Sequence, residues 1–142
     1  MSFFNVVIDT NVIISALRSS KGNSHRLLRL IGDNRFKINL SVPVVLEYES
    51  VIKRNLKILS LTDKSVDVLI DYLCSVAHLW DVHFLWRPLL SDPSDDMILE
   101  LAVRSGSEYI ITWNIDDFKG VEAFGVKAIN AKEFLELIGE VK

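Results

Sequence analysis

The chain holds a single cysteine, Cys74, in 142 residues. One thiol excludes an internal disulfide and a metal cage built from cysteines, and within the helical stretch LIDYLCSVA it reads as a small buried hydrophobe. Histidine is also scarce. His78 and His83 have no third His or Cys at ligand spacing, which argues against zinc. No apolar run approaches the length of a membrane span, and the opening MSFFNVVID lacks a basic region ahead of a cleavable apolar segment, so a cytoplasmic protein is expected. There are no repeats, low-complexity tracts or internal linkers. A single domain over residues 1–142 is expected. No G-x-G-x-x-G follows the first apolar run, which disfavours a dinucleotide site.

What is present is an ordinary globular composition, 49% hydrophobic and 25% charged, with enough apolar residues for a real core. The net charge of −3 is unevenly placed. Residues 1–40 carry Arg18, Lys21, Arg26, Arg29, Arg35 and Lys37 against Asp9 and Asp33, an excess of +4 against −7 in the remainder. A phosphate backbone could use such a basic patch beside an acidic site, and a solvated helix face is the plain alternative.

Along the chain, Val6, Val7 and Ile8 form a β-branched run suited to a strand buried on both faces. Asp9, Thr10 and Asn11 follow at once, and Val12, Ile13, Ala16 and Leu17 resume at helical spacing. A carboxylate therefore sits where a central strand hands over to a helix, the place where open α/β sheets bind ligands. Taken alone, Asp9 is better explained as a helix N-cap.

His25 to Ile31 reads as a second helix, stopped by Gly32, Asp33 and Asn34, and Phe36 to Leu40 alternates as a second strand. Ser41 and Pro43 open a helix through VVLEYESVIKRN, on which Glu47 and Glu49 fall on opposite edges of one apolar stripe. Periodicity does not choose between them. Thr62 or Asp63 caps the next helix, and Trp80 to Trp86 is expected as a third strand before a loop reaching Pro93. A helix from about Ser94 to Ser105 carries Asp95 on the inward arc of Ile98, Leu101 and Ala102, with Asp96 near the polar edge beside Glu100 and Arg104. Tyr109 to Thr112 is a buried strand ending in Trp113-Asn114-Ile115-Asp116-Asp117-Phe118, and Val126 to Ile129 is the last strand. Asn130 and Glu133 form a capping box for a closing helix through Ile138. Strands alternating with helices predict a three-layer α/β/α domain around a parallel sheet.

The acids gather at the carboxyl ends of strands or at helix starts: Asp9, Glu47, Asp95, Asp96, Asp116 and Asp117. If the strands before Asp9 and Thr112 are neighbours, several share one cleft. Carboxylates so placed repel unless protons or cations intervene, and hard oxygen ligands without His or Cys select Mg2+ or Mn2+. Such ions can generate hydroxide and stabilise a phosphodiester under in-line attack. Asn11, Thr112 and Asn114 could orient ligands or water around them.

Asp9-Thr-Asn-Val, the Ser41 to Val51 segment with Glu47, the Asp-Pro-Ser-Asp-Asp helix start and Thr112-Trp-Asn-Ile-Asp-Asp-Phe, in that order, resemble the PIN domain across essentially the whole chain. Within that family the chain looks most like the VapC-like toxins of toxin–antitoxin pairs. The resemblance implies a parallel sheet of about five strands, a ribonuclease dependent on Mg2+ or Mn2+, frequent homodimers, an antitoxin partner and an acidic quartet. Carried over by position, the quartet begins with Asp9, Glu47 rather than Glu49, and Asp95 with Asp96 adjacent. The fourth position has two forms in the family. Some relatives place an Asp where this chain has Asn114, and others pair Asn there with an Asp just before the Phe, here Asp117. Asp117 is the choice, with Asp116 the alternative. Arg18, Lys21, Arg26 and Arg29 are expected to contact RNA phosphates.

Two other classes compete. A phosphatase could use Asp9 as covalent nucleophile, although such enzymes commonly want a second Asp where this chain has Asn11. A non-catalytic RNA-binding domain could keep the fold, and Asp9, Glu47 and Asp95 argue against it.

Overall fold

A computed structural model describes residues 3–82, 90 and 92–140. Strand β1 spans Phe4–Ile8 and runs directly into helix α1, Thr10–Arg18, followed by α2, Asn23–Arg29, and β2, Phe36–Leu40. Helices α3 (Val42–Lys53), α4 (Leu56–Leu59) and α5 (Asp63–Val76) lead to β3, His78–Leu79. Helix α6, Pro93–Ser105, precedes β4, Tyr109–Ile111. Two 3-10 turns, Ile115–Phe118 and Val121–Phe124, then connect to β5, Lys127–Ile129, and α7, Ala131–Leu137.

All five strands are parallel, in the order β3-β2-β1-β4-β5. β1 is central, pairing Phe4 with Phe36 on one side and Ile8 with Ile111 on the other. Its Val6, Val7 and Ile8 are buried because helices cover both faces. Crossovers between parallel strands are right-handed, so the chain winds outward from β1 to β3 with α1 to α5 on one face and returns to β4 with α6 on the other. α6 accordingly packs on β1, β2 and β4, while α1 meets α2 and α3, and α2 meets α7. This is the expected three-layer α/β/α arrangement. The direction of winding reverses between β1 and β4, which opens a crevice at their carboxyl ends.

Local chemistry sets the helix starts. Ser41 caps α3 by accepting from the Val44 amide, Thr62 rather than Asp63 caps α5 in a capping box with Ser65, and Asn130 and Glu133 cap α7 reciprocally. At the end of α6, Gly106 adopts φ 67°, a left-handed conformation that closes the helix and that a Cβ would strain. Boundaries move slightly from expectation: α2 begins at Asn23 and ends at Arg29, and the helix after β2 stops at Lys53, with α4 as a separate turn.

The third strand differs more. Among the described residues the paired strand is His78–Leu79, beside Asn39 and Leu40 of β2; the Trp80 amide still donates to the Leu40 carbonyl at 2.9 Å, Asp81 and Val82 are irregular, and the rest of the expected Trp80–Trp86 strand lies outside the described residues. The Trp80 side chain ties this edge to its neighbours. Its ring stacks on His78 at 4.3 Å, Arg104 lies over it at 4.8 Å, and its indole N–H donates to Asn39 Oδ1 at 2.8 Å. Asn39 is itself fully buried, and its amide donates to the Val6 carbonyl at 3.2 Å and to Ser107 Oγ at 3.3 Å. A polar side chain in the core is tolerable because both ends of the amide are satisfied. Cys74, expected to be buried, is only half-buried.

Candidate functional site

The crevice at the carboxyl end of β1 and β4 is a cleft of about 590 Å³. Its lining includes Asp9, Asn11, Ser15, Arg18, Glu47, Asp92, Ser94, Asp95, Trp113, Asn114 and Asp117. Each acid arrives from a different element. Asp9 is both the residue after β1 and the N-cap of α1, so the capping reading and the site reading hold together. Its Oδ1 accepts from the Thr10 amide at 2.8 Å and its Oδ2 from the Thr112 hydroxyl at 2.8 Å. The Thr112 oxygen accepts in turn from the Asn114 amide at 3.0 Å.

Glu47 projects from α3 into the cleft, and Ser94 Oγ donates to its Oε1 at 3.5 Å. Glu49 instead pairs with Lys53 at 3.5 Å, one helical turn away. Asp95 is half-buried in the first turn of α6, and Asp117 stands exposed on the 3-10 turn after β4. Asp116 does not line this cleft but an adjoining cavity, which Asp117 also borders. Of the two neighbours, only Asp117 reaches the cleft.

Two residues depart from the sequence reading. Asp96 is buried, 2% exposed, and accepts from the Leu90 amide at 2.9 Å, and Glu100 is likewise buried at 4%. At Asp96 the expected polar edge of α6 is met by the Leu90 amide from just before the helix, a contact that helical periodicity does not register. Asp92, passed over as the residue before Pro93, caps α6 by accepting from the Ser94 amide at 2.9 Å and adds its charge to the cleft. The Asp-Pro start of the helix was the available signal.

The acids feel one another. Burial pushes the Asp9 carboxyl up from its usual value, the hydrogen bonds from Thr112 and Thr10 pull it back, and the charges of Asp117 and Asp92 push it further up. Asp95 rises to about 7, first through burial and then through the carboxylates of Asp9, Asp92, Asp117 and Asp96. The oxygen-only donor set and the mutual repulsion of its carboxylates fit a hard divalent cation such as Mg2+ or Mn2+. Among the described residues no three His, Cys, Asp or Glu side chains stand close enough together to chelate an ion. Asp9 and Glu47 are met by the hydroxyls of Thr112 and Ser94.

The basic patch divides. Arg18 lies on the same face of α1 as Asn11 and Ser15 and lines the cleft, whereas Lys21, Arg26 and Arg29 do not. Arg26 pairs with Glu140 at 3.7 Å, and Glu140 also holds Arg35 at 3.0 Å. The backbone of Arg35 bonds Phe4 at the start of β1, so Arg26 belongs to the opposite end of the sheet from the acids. Asn11 is present in the cleft, but its side-chain oxygen is occupied by the Trp113 amide at 3.2 Å.

A parallel five-stranded sheet with acids meeting at its switch point is the arrangement of a PIN-type domain. Residues 5–116 match the model of the PIN domain, and the chain belongs to that family. Its fold is similar to that of a chain in the crystal structure of VapBC2 from Rickettsia felis bound to a DNA fragment from their promoter. The two superpose with a TM-score of 0.62 at 17% identity, over 89% of this chain and 98% of that one. No curated protein matches the chain by sequence. Among the described residues no helix is long and apolar enough to cross a membrane.

Proposed function

We propose that residues 1–142 form a single PIN-like domain that hydrolyses RNA phosphodiester bonds with Mg2+ or Mn2+, acting in the cytoplasm as the toxin half of a toxin–antitoxin pair. The observation that carries this reading is the convergence of Asp9, Glu47, Asp95 and Asp117 on one cleft at the switch point of the sheet. Family membership supports a nuclease, and the structural likeness to a VapBC2 chain supports an antitoxin partner. A second copy of the chain is the other expected partner.

Asp9, Asp95 and Asp117 would hold the cation, with Glu47 as the fourth carboxylate. Such an ion would supply Lewis-acid stabilisation of the phosphoryl oxygens and activation of water. The protein supplies the orientation. Thr112 orients the Asp9 carboxyl, and its donated hydrogen bond favours the ionised form against the burial that disfavours it. Asn114 lines the cleft beside Asp117, placed to hold a water or a substrate oxygen. Arg18 sits two turns along α1, its side chain leaning back toward the helix start, where a flanking phosphate can meet it.

A phosphatase using Asp9 as nucleophile is less well supported, since no second acid follows at Asn11. The purified chain incubated with RNA should cleave it in Mg2+ or Mn2+, stop in chelator, and fail as Asp9→Asn. Equal cleavage in chelator would overturn the metal assignment, and binding without cleavage under every metal condition would leave a non-catalytic RNA-binding domain.

A further inference from the structure

β4 ends at Ile111, and the residues that follow are oriented differently. Thr112 is fully buried against Asp9, whereas Trp113 is 54% exposed. Tryptophan is highly buried on average, so an open indole beside a polar cleft calls for a reason. Its backbone is not loose. The Trp113 amide donates to Asn11 Oδ1 at 3.2 Å and the next amide donates to Thr112 Oγ1 at 3.0 Å, which holds the peptides on both sides of the residue.

Trp113 also lines two cavities at once. One is the carboxylate cleft, and the other, of about 480 Å³, is formed by Trp113, Asn114, Ile115, Asp116 and Asp117. A bound chain passing from one to the other crosses the indole. The second cavity carries the carboxylates of Asp116 and Asp117, and no cation lines it among the described residues. A phosphate is repelled there, while a neutral planar base meets an aromatic face and side-chain hydrogen-bonding groups. Aromatic faces accept any base, because every base has a π-face.

We infer that Trp113 is the stacking platform for an unpaired base next to the phosphate held in the carboxylate cleft. This rests on the RNA-nuclease reading and names a base-binding position of that site. A duplex offers the indole no free base face without the cost of unpairing one.

The test is a binding titration in chelator, where no cleavage is needed, with a 12-nucleotide single-stranded RNA, the same strand carrying one abasic position at each site in turn, and the matching duplex. The wild-type chain should bind the single strand, weaken about tenfold when one particular base is removed, and bind the duplex more weakly. Trp113→Ala should lose about tenfold in affinity for the intact strand and become indifferent to the abasic position. Trp113→Phe should keep most of the affinity. Unchanged binding by Trp113→Ala, equal binding of duplex, or the same abasic penalty in both proteins would overturn the inference. Cleavage in Mg2+ by the wild-type chain is scored separately, so a failed platform and a failed nuclease give different results.

Discussion

The Thr112 hydroxyl and the Asp9 carboxylate meet at 2.8 Å across the two central strands, joining the end of β4 to the start of α1. Asp9 is buried and feels the charges of Asp117 and Asp92, so its ionised form depends on such donors. Thr112→Val keeps the shape and removes the donor. Loss of a group that orients a metal ligand typically costs 10–100-fold in metal affinity or activity, and about that is expected here. The bond lowers the Asp9 proton affinity, so without it Asp9 stays protonated to higher pH. The acidic limb of the rate profile should therefore move to higher pH in Thr112→Val. A pH–rate series at fixed metal concentration checks both effects, and an unmoved limb with full activity would refute the role.

Asp95 makes a prediction about the metal-free fold. Its carboxyl titrates at about 7 in the folded chain against 3.8 ordinarily. The folded state therefore binds more protons than the unfolded state between these values, and stability falls as pH rises from about 4 to about 7. Above 7 the loss is complete. Asp95→Asn removes this liability and should melt higher than wild type in chelator at pH 8. After discount for the solvent around a half-exposed group the gain is about 1 kcal/mol or less, roughly 3 °C. Adding Mg2+ or Mn2+ should stabilise wild type more than the variant. Thermal melts at pH 5 and pH 8, with and without metal, decide it.

Asp117 and Asp116 separate by whether they reach the carboxylate cleft. Asp117 lines the cleft and its charge reaches Asp9 and Asp95, whereas Asp116 lines only the adjoining cavity. Asp117→Asn should raise the metal concentration for half-maximal cleavage about tenfold or more. Asp116→Asn should stay near wild type. Metal titrations of the two variants under identical RNA concentration give the ranking, and the reverse order would transfer the fourth carboxylate to Asp116.

The contrast between these acids also shows where sequence reading reaches and stops. Val6-Val7-Ile8 and Tyr109-Ile110-Ile111 carry their own evidence of burial on both faces, and Asp9 and Asp95 follow from local handovers between elements. Their partners across the sheet then follow from topology. Asp96 is different, because it is buried and accepts a hydrogen bond from the Leu90 amide, and neither residue signals that contact by periodicity. Trp80 likewise reads as the first residue of an alternating strand, while its side chain is placed by Asn39, His78 and Arg104. Arg26 reads as part of a basic patch until Glu140, from the far end of the chain, claims it. Local pattern fixes elements, and contacts between distant elements decide which exposed-looking charges are free.

Arg18 and Arg26 turn that last distinction into an experiment. Arg18 is exposed along the cleft on the face of α1 that begins with Asn11, whereas Arg26 is tied to Glu140 at the other end of the sheet. Both carry the same charge, so long-range attraction to RNA falls about equally when either is removed and separates nothing at high salt, where the Debye length is only about 3 Å at 1 M. Direct phosphate contact is different, because each neutralised phosphate releases counterions and adds about 0.7 to the slope of log affinity against log salt for a single strand. Arg18→Ala should flatten that slope by about this amount and weaken binding most at low salt. Arg26→Ala should leave the slope unchanged and cost at most about 1 kcal/mol of stability, as an exposed ion pair does. Affinities for one single-stranded RNA across a series of salt concentrations, measured in chelator, give the slopes, and equal flattening by both variants would mean that the RNA path extends to α2.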